Sequence, residues 1–70
     1  MTIRHMRIFL EVYREMNITK AAKKLHMTQP AVSRAIQELE NHYGIQLFER
    51  MNHKLYRTKS GERFYAGSLH

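Results

Sequence analysis

No cysteine, no aspartate and no tryptophan occur in this sequence, and proline appears once and glycine three times. Each absence removes a class of protein. Without cysteine there is no disulfide scaffold, no thiolate zinc site and no cysteine nucleophile. Without aspartate or a glycine-rich phosphate loop, the usual catalytic constellations have nothing to build on. No run approaches the ~18 consecutive apolar residues of a membrane span, and no short apolar run follows a basic start as a signal peptide requires. Little Pro and Gly beside 43% hydrophobic residues argues against disorder. No internal repeat, linker or low-complexity stretch is present. The expectation is a soluble, mostly helical mini-domain of the reducing cytoplasm.

What is present is positive charge. Twelve Lys and Arg stand against six carboxylates, all Glu, for a net charge of +6 in 70 residues. That sign points to an anionic partner, with nucleic acid ahead of anionic lipid. A chain this short buries only roughly 60% of the surface its unfolded form exposes. Good helix packing, or a partner, must therefore supply its stability.

Three helical patterns come first. From about Thr2 to Glu15, Ile3, Met6, Phe9, Leu10 and Tyr13 make one apolar stripe. Arg7 and Glu11, four apart, are placed to pair weakly. Asn17 ends this pattern and caps the next, Ile18 to about Leu25, where Ala21 and Ala22 allow a close neighbour. Thr28 caps the third, Gln29 and Pro30 fill its first turn, and Gly44 stops it after Tyr43. Val32, Ile36, Leu39 and Tyr43 are its expected buried stripe. Pro30, Ser33, Arg34, Gln37 and Asn41 form the opposite, polar face, with Glu38 and Glu40 on its flanks. After Gly44 the pattern changes. Ile45, Leu47 and Phe48, then Leu55 to Thr58, read as a β-hairpin turning near Asn52. Thr58 then caps a last helix from Lys59 towards His70, with Phe64, Tyr65 and Leu69 apolar. That helix meets no stop signal, so an isolated domain of a longer chain is expected.

Two helices joined by a tight turn suggest helix-turn-helix. Ala22 sits where a close crossing needs a small residue, His26 lies in the turn, and Val32 and Ala35 are the inward positions beyond it. The turn favours a left-handed residue, which His tolerates better than most non-glycine types. In such a motif the second helix enters the DNA major groove. Arg34 suits guanine, Gln29 and Gln37 suit adenine, Thr28 and Ser33 suit phosphate, and the helix N-terminus offers N–H groups to an anion. Arg50, Lys54, Arg57, Lys59 and Arg63, against Glu62, place +4 of the charge from the hairpin onward. A basic hairpin beside a helix-turn-helix is the layout of a winged helix.

The sequence resembles the N-terminal DNA-binding domain of the LysR-type transcriptional regulators. Arg4-His5 with Phe9, Ile18 to His26, Thr28 to Ile36, Leu39-Glu40, Gly44 to Arg50 and Thr58 to Gly61 carry the resemblance over essentially the whole chain. It implies a mainly α fold: a winged helix-turn-helix over residues 1–58, with a three-helix core and a hairpin wing, then the start of a linker helix over 59–70. It implies sequence-specific binding of duplex DNA at dyad-symmetric operators, as homodimers or tetramers paired by the linker helix. It also implies a small-molecule effector bound by a further C-terminal domain that this sequence lacks. Gln29, Pro30, Ala31 and Arg34 match the family's base-contacting positions. Thr28, Ser33, Gln37 and Arg50 match its backbone or auxiliary contacts, and Lys54 in the basic hairpin is a further one. No cofactor is implied. The sequence departs from the pattern at Arg57, where the wing usually ends in an aliphatic residue. Its wing end is expected either to pack less tightly or to carry an extra phosphate contact. Met51, Asn52 and His53 also replace a segment often richer in Arg and Gly.

Blander roles stand beside these. Lys20, Lys23 and Lys24 read as a solvated face, and Tyr43, Phe48 and Tyr56 as packing rather than base-stacking residues. The five His never fall three to five apart, so no local metal pair exists. A non-specific or architectural nucleic-acid binder is the alternative function. A basic amphipathic peptide acting at membranes is a third reading, opposed by the cap and turn signals.

Overall fold

Side-chain caps delimit the helices. In the computed structural model, which describes residues 2–52 and 54–68, α1 spans Ile3–Glu15, α2 Ile18–Leu25 and α3 Gln29–Tyr43. Strands β1 (Phe48–Met51) and β2 (Lys54–Arg57) follow, and α4 runs over Lys59–Ser68. Thr2 accepts the His5 amide, Asn17 that of Lys20 and Thr28 that of Ala31. Each cap satisfies one donor that the first helical turn leaves orphaned. The Thr58 hydroxyl does the same for α4, accepting the Gly61 amide at 2.9 Å. Thr58 is therefore a cap and not the last strand residue.

The first three helices each end on a left-handed residue: Met16 at φ 51°, His26 at 56° and Gly44 at 67°. At His26 the chain closes with the Met27 amide bonded back to the Ala22 carbonyl at 2.9 Å, a Schellman-type stop. This is the turn that sets α3 across α2. Ala22, Val32 and Ala35 are all buried beneath it, as their spacing requires. Met16 is left-handed too, but there its own amide bonds the Val12 carbonyl at 2.8 Å, so α1 closes just before the Asn17 that the sequence marks.

The core gathers Ile8, Phe9 and Val12 from α1, Ala21 and Ala22 from α2, Val32, Ala35, Ile36 and Leu39 from α3, and Leu47 and Phe48 beyond them. Two expected core residues lie elsewhere. Ile3 is 88% exposed. His5 faces α3, its Nε2 lying 3.1 Å from Glu38 Oε1, and a residue two positions away on a helix points to the other side. Tyr43, at 47% exposure, is the last residue of α3 and packs edge-on against Phe64 at 4.9 Å. It therefore closes the rim of the core. The expected Arg7–Glu11 pair does not form. Glu11 turns to α2, where Lys24 Nζ lies 3.8 Å from it and 2.6 Å from Glu15.

The hairpin is antiparallel, with Phe48 opposite Arg57, Arg50 opposite Leu55 and Met51 opposite Lys54. Asn52, at φ 51°, starts the connection, as a tight hairpin turn requires. His53, Leu69 and His70, named in the expected turn and last helix, lie outside the described residues. Alternation along the strands puts Phe48, Arg50, Leu55 and Arg57 on one face and Glu49, Met51, Lys54 and Tyr56 on the other. From the first face Phe48 and Leu55 pack inward. Phe48 meets Phe9 at a ring separation of 5.7 Å, and Phe64 of α4 meets the same Phe9 edge-on at 5.0 Å. One aromatic of α1 thus joins the wing and the last helix to the core.

Candidate nucleic-acid interface

The exposed face of α3 begins with its cap. With Thr28 fixed on Ala31, Gln29, Ser33 and Gln37 fall one turn apart, and Pro30 and Arg34 form the adjacent row. Gln29, Pro30, Arg34 and Gln37 are exposed, while Ser33 and Ala31 are half-buried. Arg34, Gln29 and Gln37 make no side-chain hydrogen bond or ion pair among the described residues. They are polar groups of this face left open for an external partner.

The wing stands beside this face. Arg50 reaches from β1 to α3, its Nη2 donating to Ser33 Oγ at 3.0 Å. That leaves the Ser33 hydroxyl proton and most of the guanidinium donors unused. Between wing and helices lies an open cleft of about 560 Å³, lined by Asn17, Thr19, Gln29, Ser33, Arg50 and Lys54 among others. Its lining carries two cations and no carboxylate. A neighbouring cleft of about 390 Å³ shares Ser33 and Arg50 and extends to Gln37 and Glu40. Glu40 is already engaged there, since its Oε2 accepts the amides of Leu47 at 2.8 Å and Phe48 at 3.3 Å. Its charge is spent on holding the start of β1.

The structure therefore brings Gln29, Ser33, Arg50 and Lys54 around one cleft, with Gln37 lining its neighbour. Thr28, Pro30, Ala31 and Arg34 continue the same end of α3 outside it. The helix N-terminus is less open than expected. Pro30 has no N–H, Ala31 bonds Thr28 Oγ1 and Val32 bonds the Thr28 carbonyl, so the amides of Thr28 and Gln29 are what remain free. The sequence marks the N-terminus of α2 as a cap at Asn17 but not as part of the interface. There Asn17 caps Lys20, the amides of Ile18 and Thr19 carry no partner, and all three residues line the main cleft. The positive end of that helix dipole adds to the field of Arg50 and Lys54. Asn17 is legible as a cap, but its position opposite the wing is a tertiary fact.

Arg57 departs most from expectation. It is not turned to an external phosphate: its Nη2 donates to the Tyr13 carbonyl at 2.7 Å, and its guanidinium lies 4.3 Å over the Tyr13 ring. The charge run from Arg50 to Arg63 is thus divided, with Arg50 and Lys54 at the cleft and Arg57 on α1. Lys24 is likewise occupied. Glu15 holds the Lys24 ammonium above its ordinary pKa through their hydrogen bond, and Lys24 in turn lowers the Glu15 carboxyl. Six of the seven aromatic rings pack against one another, which leaves Tyr56 alone outside the cluster among the described contacts. No described group of three or more His or Glu is placed to hold a metal ion, and no described helix is long and apolar enough to cross a membrane.

The family described as bacterial regulatory helix-turn-helix protein, lysR family, matches residues 3–62. The HTH-type transcriptional regulator BenM of Acinetobacter baylyi is 48% identical over 65 residues, covering 93% of this chain and 21% of that protein. The chain spans about a fifth of the length of most of the curated relatives it matches. Among solved structures, a LysR-family transcriptional regulator from Eggerthella lenta superposes with a TM-score of 0.94 at 41% identity, covering all of both chains. A complex of the BenM DNA-binding domain with catB site 1 DNA superposes with a TM-score of 0.91 at 45% identity, over 99% of this chain and 78% of that one.

Proposed function

The chain belongs to the LysR family of bacterial regulatory helix-turn-helix proteins, and from that premise we propose that it binds double-stranded DNA sequence-specifically to regulate transcription. The observation that carries this is the α3 face. Gln29, Arg34 and Gln37 are exposed and unpartnered on a capped helix, and beside them the cleft of Arg50 and Lys54 holds no carboxylate. An α-helix fits the major groove of B-DNA, where Arg pairs with guanine O6 and N7 and Gln with adenine N6 and N7. In this reading Gln29, Pro30, Ala31 and Arg34 contact base edges. Thr28, Ser33, Gln37, Arg50 and Lys54 contact the backbone or position those that do. The superposition on the DNA-bound domain of a relative supports DNA binding by this fold.

The domain is residues 1–58, and α4 begins a linker helix. In a longer parent, that helix pairs two copies across a dyad as a homodimer or tetramer. Two half-sites then lie about one helical turn apart. A small-molecule effector would act through a region beyond this chain, and the setting is the cytoplasm.

Selection of bound duplexes from a random pool tests the function. The expected result is an enriched motif and a clear preference for it over random duplex in competition. A specificity ratio near one would instead assign the chain to non-specific binding driven by its charge.

A further inference from the structure

Arg57 sits where it can do more than fill the end of the wing. Tyr13 lies in the last turn of α1, so its carbonyl has no helical partner. Arg57 Nη2 fills that vacancy at 2.7 Å. The same guanidinium lies 4.3 Å over the Tyr13 ring, and the Tyr65 ring of α4 stacks on Tyr13 at 4.0 Å with an interplanar angle of 8°. Two planar groups at these separations cannot share one face, so Tyr13 is sandwiched. The order is Arg57 of β2, Tyr13 of α1, Tyr65 of α4. A planar guanidinium suits both contacts at once, since it stacks and donates in its own plane, which an ammonium cannot do. Lys54, three residues before Arg57, points to the opposite face of the hairpin and lines the cleft.

We propose that Arg57 is a positioning residue for DNA binding: it docks the wing on the Tyr13 ring, and Tyr65 on the other face links the wing's pose to the last helix. Arg57 itself touches no DNA. It acts by holding β2, and with it Lys54, at the edge of the cleft. A rotation of α4 that unstacks Tyr65 loosens the same ring and hence the wing. The inference rests on the DNA-binding reading above.

The test uses a labelled mixed-sequence duplex, with affinity measured over a range of salt for the parent and for Arg57→Leu, Arg57→Lys, Lys54→Ala, Tyr65→Leu and the doubles with Lys54→Ala. Arg57→Leu should weaken binding about threefold to tenfold. In that background Lys54→Ala should lose more than half of its effect, because the lysine is no longer held in place. Tyr65→Leu should blunt the Lys54 effect in the same way, and it carries the test with Arg57→Lys if Arg57→Leu does not fold. Three results would overturn the proposal. One is unchanged affinity in Arg57→Leu. Another is additive losses at Arg57 and Lys54, each shallowing the salt slope by about one, which marks Arg57 as a phosphate contact. The third is full rescue by Arg57→Lys, which means that charge alone suffices. A Lys54 effect untouched by Tyr65→Leu would overturn the link to α4. A parent that binds no duplex overturns the function itself, and the inference with it; a binding parent with an indifferent Arg57 overturns the inference alone.

Discussion

Glu40 Oε2 accepts the Leu47 amide at 2.8 Å, so the C-terminal half of α3 directly anchors the segment that begins the wing. The same oxygen takes the Phe48 amide. Glu40→Ala leaves two partly buried donors unpaired and should cost about 1–3 kcal/mol. Chemical denaturation measures that loss. Glu40→Gln, which keeps one acceptor oxygen, should recover part of it.

Gly61 stands against the Leu47 carbonyl from the other side. A Cβ built on Gly61 would lie 3.1 Å from the Leu47 carbonyl carbon and closer still to its oxygen. That carbonyl is fixed, since it also accepts the Thr58 amide at 3.3 Å. Gly61→Ala must push α4 off the core, at about 1–3 kcal/mol or more. Gly67→Ala meets nothing within 4 Å and serves as the control in a thermal unfolding comparison.

His26 is exposed and left-handed, at φ 56°. A side chain in that conformation costs about 1–2 kcal/mol relative to one without strain, and glycine removes the cost while giving some back in chain entropy. His26→Gly should therefore stabilise the domain by about 0.5–1 kcal/mol, or a rise of several degrees in Tm. Unchanged or lowered Tm would refute this account of the turn.

Arg34 and Lys54 should separate base reading from charge. Arg34→Ala should cost about 1–3 kcal/mol on a selected duplex and relax preference at one base pair. Lys54→Ala should weaken binding to every sequence and shallow the salt slope by about one. Equal losses on selected and random duplex for Arg34→Ala would make that residue a phosphate contact.

The Glu15–Lys24 pair gives a pH signature. Lys24 lowers the Glu15 carboxyl, chiefly by their hydrogen bond, so its contribution is complete above the unfolded carboxylate pKa and fades as pH falls through the lowered folded value. Glu15 raises the Lys24 ammonium, so that contribution is complete below the unfolded lysine pKa and fades as pH rises through the raised one. The pair is exposed, and salt should weaken it. In an NMR titration Glu15 should protonate below an ordinary glutamate. Lys24→Gln should return it towards the ordinary range.

The local features of this protein were legible along the chain. Thr28, Asn17 and Thr58 as caps, Gly44 as a stop, His26 as a left-handed turn and Ala22 at a helix crossing are decided within a few residues. Short-range hydrogen bonding and backbone sterics set them wherever the segment sits. The polar face of α3 follows from the same helical period. The stripes of α1 and α3 were legible only in part, because Ile3 and Tyr43 have the right spacing but lie at the edges of the packed region.

What the tertiary structure alone decided is which charges remain available. Composition counts Lys24, Arg50, Lys54 and Arg57 as equal positive charges and Glu40 as one of six negative ones. Packing then gives Lys24 to Glu15, Glu40 to the Leu47 amide and Arg57 to Tyr13, and leaves Lys54 and most of Arg50 at the cleft. Those partners are nine, seven, and forty-four residues apart. No local period connects them, since only the arrangement of helices around Phe9 brings them within reach. The net positive charge is a property of the sequence, but which cations face the cleft and which are held by other groups is a property of the fold.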